Sequence, residues 1–217
     1  MRFVDLSHVI RDGLETYPGL PAPRITDHLT REASRANYAP GTEFQIGRIE
    51  MVANTGTYLD SPAHRWADGA DLSGLPLERL ANLPALVLDL AHGERAFRAR
   101  ALPRGDLAGC ALLLRTGWSA HFGTARYREG HPYLAADGAA ELVRRGVALV
   151  GIDSLNIDDT ATGERPAHSL LLRAGIPIVE HLTNLAALPA SGFRFFAVPP
   201  KVAAMGTFPV RAFAVLE

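Results

Sequence analysis

The sequence is poor in features that would place it outside the ordinary globular proteins. Cys110 is the only cysteine, so no internal disulfide can form, and a reducing compartment is expected. The 22 basic and 23 acidic residues leave a net charge of −1, which gives no reason to expect nucleic acid or an anionic membrane as a partner. The uncharged apolar runs are too short to span a bilayer. We therefore expect a cytoplasmic protein.

The remaining composition predicts a folded α/β protein. Of the 217 residues, 47% are hydrophobic, enough for a sizeable core, and no low-complexity linker divides the chain, so we predict a single domain over 1–217. Strand-like and helix-like patterns alternate. The runs 85–90, 111–115 and 147–152 are almost continuously apolar, as in strands buried on both faces, whereas 135–145 has helical spacing. The run 44–51 changes phase at Gly47, which predicts a bulge or sharp bend between two half-buried strands.

The stretch 53–64 holds the strongest candidate site. It leaves a strand-like run and ends at the turn-forming Ser61 and Pro62, so Asp60 and His64 fall where a strand gives way to a loop. Gly56 permits a close backbone approach. An aspartate four residues before a histidine can be a metal ligand beside a proton carrier. A turn-capping aspartate and a partly exposed histidine explain the same pattern.

A second candidate pair is His168 with Glu180. His168 starts a short predicted helix, 169–174, and Glu180 lies in the apolar strand that follows Gly175. Six helical residues rise about 9 Å and five strand residues return about 16 Å, so the two side chains can meet. A carboxylate in an apolar strand needs a partner. An arginine is one solution; a metal held by Asp60, His168 and Glu180 is another, and this set suits Zn²⁺ or Mn²⁺.

Four further residues are candidates for binding a substrate. Tyr17 lies in a rigid proline-rich loop, Arg115 ends the strand 111–115, Trp118 lies just after that strand, and Asp153 follows the strand 147–152. Polar residues just past a strand's carboxyl end often lie at the site of an α/β protein. Arg115 can equally tie down the loop after it, and Tyr17 can simply pack. Asp158 and Asp159 are predicted to be solvated turn residues.

The sequence resembles the cyclase-like metal hydrolases, which include bacterial kynurenine formamidases, isatin hydrolases and a dienelactone hydrolase. The resemblance runs nearly end to end and is carried by Asp5-Leu6-Ser7-His8, Tyr17-Pro18-Gly19, the run from Gly56 to His64, Leu114 to Trp118, Gly151-Ile152-Asp153, and His168 with Glu180. It implies a compact domain of the swivelling β/β/α type with a mixed sheet and short helices. It also implies a homodimer or homotetramer that hydrolyses a small-molecule formamide, cyclic amide or lactone.

The resemblance also implies roles for individual residues. In two-metal members of the family, two histidines and an aspartate hold one ion; here those histidines are replaced by Thr55 and Tyr58, which are poor substitutes for imidazole. The ligands of the other ion, Asp60, His168 and Glu180, are retained, so we expect one divalent ion per chain. His64 is expected to act as general base and acid. Tyr58 either donates a hydrogen bond to the oxyanion or fills space. A non-catalytic relative that binds a small carbonyl compound is the alternative.

Overall fold

A computed structural model of the protein describes residues 1–17 and 19–216. Its thirteen strands are β1 (Arg2–Asp5), β2 (Arg24–Leu29), β3 (Ile46–Glu50), β4 (Tyr58–Asp60), β5 (Leu83–Asp89), β6 (Ala96–Phe97), β7 (Ala111–Arg115), β8 (Tyr133–Leu134), β9 (Leu149–Ile152), β10 (Ile178–Glu180), β11 (Ser191–Phe196), β12 (Thr207–Pro209) and β13 (Phe213–Leu216). Its three α-helices are α1 (Arg31–Ser34), α2 (Ala136–Arg144) and α3 (Pro166–Arg173).

A nine-stranded mixed sheet forms the centre, in the order β1-β13-β11-β5-β7-β9-β10-β4-β12. The neighbours β5, β7, β9 and β10 run parallel, and the other pairs are antiparallel. The residues Leu112–Leu114 of β7 and all of β9 are buried, as their continuous apolar runs predict. The predicted α/β class with a mixed sheet and short helices is confirmed.

Two apolar cores lie on the two faces of this sheet. One gathers alternate strand residues such as Leu113 and Val179 with Phe195. The other gathers Leu112 and Ile178 with the buried faces of α2 and α3, which pack against each other. Because successive strand side chains point to opposite faces, β7 and β10 each supply both cores.

A second, two-stranded sheet pairs β2 with β3 and carries one of the errors of the sequence prediction. The register shift falls between Asp27 and Leu29 of β2, opposite Gly47 and Ile46, so an irregularity of pairing lies next to Gly47 as predicted. The two half-buried strands are wrong, because β3 is one strand whose residues are all exposed. Helix α3 also begins earlier than predicted, so His168 lies within its first turn. None of the helices in the described part of the chain is long and apolar enough to cross a membrane.

Strand register brings the candidate residues together. β4 lies between β10 and β12, where Tyr58 is the cross-strand partner of Glu180 and Asp60 is the partner of Thr207. Partners of this kind have Cβ atoms about 4.5–5.5 Å apart. Helix α3 follows β9 and precedes β10, which carries His168 to the same end of the sheet.

Candidate metal centre and its cavity

A cavity of about 390 Å³ opens above the carboxyl end of β10. Its polar floor includes Tyr58, His64, His168 and Glu180. Tyr17 lines one wall, as predicted from the sequence. An aromatic wall beside a polar floor is suited to a small aromatic ligand with one polar reacting group.

Asp60 lies beneath this floor and is fully buried. Its Oδ1 accepts a hydrogen bond from the Thr207 hydroxyl, but its Oδ2 has no hydrogen-bond partner among the described residues. Burial disfavours the carboxylate, yet His168, His64 and Thr207 outweigh it and hold the pKa of Asp60 below its usual value. A buried carboxylate oxygen left without a partner is costly unless a cation faces it.

Asp158 fixes the orientation of His168. Its two carboxylate oxygens accept hydrogen bonds from the Ala167 amide at 2.6 Å, the His168 amide at 3.0 Å and the His168 Nδ1 at 2.7 Å. The prediction that Asp158 is solvated was wrong, because it is fully buried and binds the first turn of α3. Burial disfavours protonated His168, but Asp158, Asp60 and Glu180 raise its pKa to about 10. The Nε2 of His168 is therefore in a strongly cation-binding position.

Glu180 has both carboxylate oxygens occupied by donors. Its Oε1 accepts from the Ile157 amide at 2.6 Å, and its Oε2 accepts from the Tyr58 hydroxyl at 2.7 Å. Burial raises the pKa of Glu180. Because each carboxylate oxygen has two lone pairs, Oε1 can still approach a cation while it accepts the amide hydrogen.

The Tyr58 hydroxyl belongs to a buried hydrogen-bonded chain. Since it donates to Glu180, it accepts from the Nε2 of His181 at 3.3 Å, which leaves Nδ1 of His181 to accept from the Tyr127 hydroxyl at 2.9 Å. Burial lowers the pKa of His181 to about 3, so this imidazole is neutral. The hydroxyl hydrogen of Tyr58 is thus donated to Glu180. In this arrangement Tyr58 positions Glu180 and has no hydrogen to donate to an oxyanion.

His64 is the exposed member of the group, with 34% of its side chain accessible. Its Nδ1 lies 2.8 Å from the Thr207 hydroxyl, whose own hydrogen is donated to Asp60. Nδ1 must therefore carry the hydrogen that Thr207 accepts, and the Nε2 of neutral His64 keeps its lone pair. Gly206 permits this contact, because a Cβ there would lie 2.5 Å from the His64 amide nitrogen.

The donor atoms fit a divalent cation. Nε2 of His168 lies 3.7 Å from Asp60 Oδ2 and 3.6 Å from Glu180 Oε1. Two ligands bound at about 2.0–2.2 Å to a tetrahedral ion lie roughly 3.3–3.6 Å apart. Ligand atoms of Asp60, His64 and His168 also lie within 4.8 Å of one another. Two residues can supply the third ligand atom, because the Nε2 of His64 keeps its lone pair and the Oε1 of Glu180 lies 3.6 Å from His168; the sequence resemblance favours Glu180.

Three predicted substrate-binding residues do not line the cavity. Arg115 pairs with Asp89 and donates to the Leu185 carbonyl, so it ties strands and loops together, the alternative that its position left open. The Trp118 indole donates to the Tyr127 carbonyl at 2.9 Å. Asp153 accepts from the amides of Thr116 and Gly117 and from the Thr116 hydroxyl, so it shapes the loop after β7.

Thr55 also turns out to face away from the site. Its hydroxyl donates to the Val52 carbonyl at 2.7 Å, whereas the neighbouring Asn54 lines the cavity together with Tyr58. Gly56, at φ 67°, sets this orientation of the loop. The residue that shares the cavity with Tyr58 is therefore Asn54.

Sequence reasoning missed Asn54, Asp158, His181 and Thr207. His181 directly follows Glu180, so it had a local signal, whereas Asp158 lies eight residues before α3 and is not at an N-cap position, so its contact with α3 depends on the loop between them. Thr207 had no local signal, because only the pairing of β12 with β4 brings it to Asp60.

Comparison with known proteins gives the class to which this fold and site belong. The family model "Cyclase", described as "Putative cyclase", matches residues 4–159. The chain therefore belongs to the cyclase family.

Individual relatives agree with this assignment over the whole chain. The chain is 28% identical over 211 residues to a kynurenine formamidase of Bacillus cytotoxicus, covering 97% of this chain and 95% of that protein. A structure described as a potential metal-dependent hydrolase with cyclase activity superposes with a TM-score of 0.78 at 25% identity, covering 98% of this chain and 96% of that one. Isatin hydrolase A from Labrenzia aggregata, bound to benzyl benzoate, superposes with a TM-score of 0.84 at 23% identity, covering 99% and 93%.

Proposed function

We propose that this protein is a metal-dependent hydrolase that cleaves a carbon–nitrogen bond in an aryl formamide or a cyclic amide. Membership of the cyclase family and the similarity to a kynurenine formamidase support the reaction class. The observation that carries the proposal is Asp60 Oδ2, a buried carboxylate oxygen without a partner among the described residues, 3.7 Å from the Nε2 of His168.

The chain would hold one divalent ion, Zn²⁺ or Mn²⁺, through Asp60, His168 and Glu180. A bound ion of this kind lowers the pKa of a water and polarises a carbonyl oxygen. Asp158 would keep the Nδ1 hydrogen of His168 in place, because a carboxylate behind a metal-binding imidazole fixes its tautomer and raises its basicity.

His64 would move the proton. Its exposed Nε2 accepts a proton from the attacking water and returns it to the leaving nitrogen, while Thr207 and the Asp60 carboxylate stabilise the imidazolium through Nδ1. Tyr58 and Asn156 contribute by holding Glu180.

The test measures metal content and hydrolysis together. His168→Ala and Glu180→Gln should each lose bound metal, by elemental analysis of protein dialysed against a fixed free-metal buffer, and with it hydrolysis of formanilide, a cyclic imide or a lactone. Wild-type metal content in both variants would place any ion elsewhere. Wild-type protein that binds metal but hydrolyses none of the three substrates would favour the non-catalytic alternative.

Quaternary structure and location stay predictions. The resemblance implies a homodimer or homotetramer, which light scattering coupled to size-exclusion chromatography would measure.

A further inference from the structure

Two arginines of the cavity, Arg65 and Arg165, have no acidic partner. Some arginines outside the cavity pair with carboxylates, as Arg95 does with Asp159 at 2.7 Å and Arg173 with Asp68 at 2.9 Å, and others such as Arg104 have no such pair among the described residues. Within residues 1–17 and 19–216, no carboxylate lies within salt-bridge distance of Arg65 or Arg165, although both line the cavity. The cavity therefore presents two uncompensated cations next to its reacting groups.

Arg165 is held in place from one side. Its Nη1 donates to the carbonyls of Thr162 at 2.7 Å and Glu164 at 2.6 Å, and weakly to that of Asp159 at 3.4 Å. The side chain is half-buried. These contacts fix the guanidinium through its Nη1, and Arg165 lines the cavity, so little further side-chain entropy is lost when this guanidinium binds a ligand there.

Tyr17 locates Arg165 relative to the candidate metal centre. Burial raises the pKa of Tyr17, the charge of Glu180 raises it further, and Arg165 opposes both. Tyr17, Glu180 and Arg165 all line the same cavity, and both charges act on this phenol. A small ligand that contacts Arg165 can thus also reach the group around Glu180.

The charged groups on the floor of the cavity do not supply a binding site for an anionic ligand. Asp60 and Glu180 face His168 and would share its proton or a bound divalent ion. An anionic ligand that approaches these carboxylates is repelled by them, so positive side chains elsewhere in the cavity must attract it. Arg165 and Arg65 supply it at the wall and the rim, where the exposed Arg65 is braced by the Trp66 ring at 4.7 Å.

We propose that the substrate carries a carboxylate close to its scissile amide, and that Arg165, assisted by Arg65, binds this carboxylate and so selects acidic aryl formamides over neutral ones. This inference rests on the proposed hydrolase function and adds the substrate class to it. For an aryl formamide the reaction adds water across the C–N bond and releases the arylamine and formate. The arginines take no part in that exchange; they only position the substrate.

The test uses two probes of nearly equal shape. N-formylanthranilate has a carboxylate beside the formamide, and N-formylanthranilamide has a neutral carboxamide in the same place. The metal-loaded wild-type protein should prefer the acid in kcat/KM. Arg165→Gln should reduce this preference by about 10- to 100-fold, the usual worth of one hydrogen bond to a charged group, and mainly through KM. Arg65→Gln should reduce it only a few-fold, because the charge of an exposed arginine is screened.

Two controls separate charge from folding. Arg104→Gln removes one charge from an exposed loop outside the cavity lining and should leave the preference unchanged. Arg165→Lys keeps the charge but not the planar fork, and should retain part of the preference. Thermal melting of each variant identifies a preference lost through unfolding of the turn 159–164.

A binding arm distinguishes failure of this inference from failure of the proposed function. Benzoate and benzamide are titrated calorimetrically into wild-type protein and Arg165→Gln, independently of turnover. Selective binding of benzoate that Arg165→Gln abolishes supports the carboxylate site even if no formamide is hydrolysed. Equal kcat/KM for acid and amide in the wild type, an unchanged preference in Arg165→Gln, or no binding and no hydrolysis would each overturn the inference.

Discussion

Asp158→Asn is the substitution whose effect can be worked out in most detail. The Asp158 carboxylate is fully buried and accepts three hydrogen bonds, from two amides at the start of α3 and from the His168 Nδ1. Asparagine keeps one acceptor oxygen but turns an amino group toward the remaining donors. At least one buried N–H then lacks an acceptor, which costs about 1–3 kcal/mol, and the charge-assisted bond to His168 is weakened as well.

The expected loss of stability is therefore about 2–4 kcal/mol. For a chain of 217 residues, each kcal/mol shifts Tm by about 2–4 °C, so the variant should melt about 4–16 °C below the wild type. The new amino group also favours the His168 tautomer that carries its hydrogen on Nε2. Metal affinity should consequently fall by about 10- to 100-fold.

Asp159→Asn is the matched control, since it makes the same chemical change one residue later. Asp159 is partly exposed and pairs with Arg95 at the surface, where such a pair contributes about 0–1 kcal/mol. Thermal melting and competition with a metal-sensitive dye would compare the two variants. If Asp158→Asn melts and binds metal like Asp159→Asn, then Asp158 does not orient His168 and the argument fails.

Two further substitutions test single groups. His64→Gln should lower turnover by about two to four orders of magnitude at unchanged metal content, because the base is removed and the ligands are kept; loss of metal would instead make His64 a ligand. His8→Phe should flatten the dependence of stability on pH. His8 stacks on Phe122, and burial lowers its pKa in the folded protein to about 4, whereas its unfolded value is 6.5. Between these two pH values the unfolded chain binds one more proton at this residue than the folded protein does, so acid destabilises the wild type. Urea melts of the wild type and His8→Phe at pH 7 and pH 5 would measure how much stability each protein loses in acid. An equal loss of stability in both proteins would assign the acid sensitivity to other groups.

The parts of the fold that follow from local pattern were predictable. The apolar runs of β7 and β9 and the helical spacing of α2 each specify an element without help from distant residues. The meeting of His168 with Glu180 was also predictable, because a short helix and a returning strand join them and chain length limits their separation.

The sequence could not distinguish the environments of two residues of the same type. Asp158 and Asp159 differ only in burial, which depends on where α3 docks. Arg115 and Arg165 both adjoin predicted elements, but only a long-range pairing shows that Asp89 neutralises Arg115. Roles that depend on which partner arrives from another strand are set by tertiary contacts, so pattern and propensity do not contain them.

The clearest example is the pair of residues that the sequence resemblance sets where two-metal members of the family are expected to carry histidines. The sequence pointed to Thr55 and Tyr58, but Thr55 is turned toward the Val52 carbonyl, and Asn54 shares the cavity with Tyr58. We therefore expect Asn54→His with Tyr58→His to create a second metal site, because both imidazoles would face the cavity beside Asp60, and two ions in such sites lie about 3.5–4 Å apart. Thr55→His with Tyr58→His is the control: the buried Thr55 position offers no path to the cavity, so this variant should gain no ion and should lose stability. Elemental analysis would count the ions, and a second ion in the control, or none in the Asn54 variant, would show that the loop does not aim these positions as described.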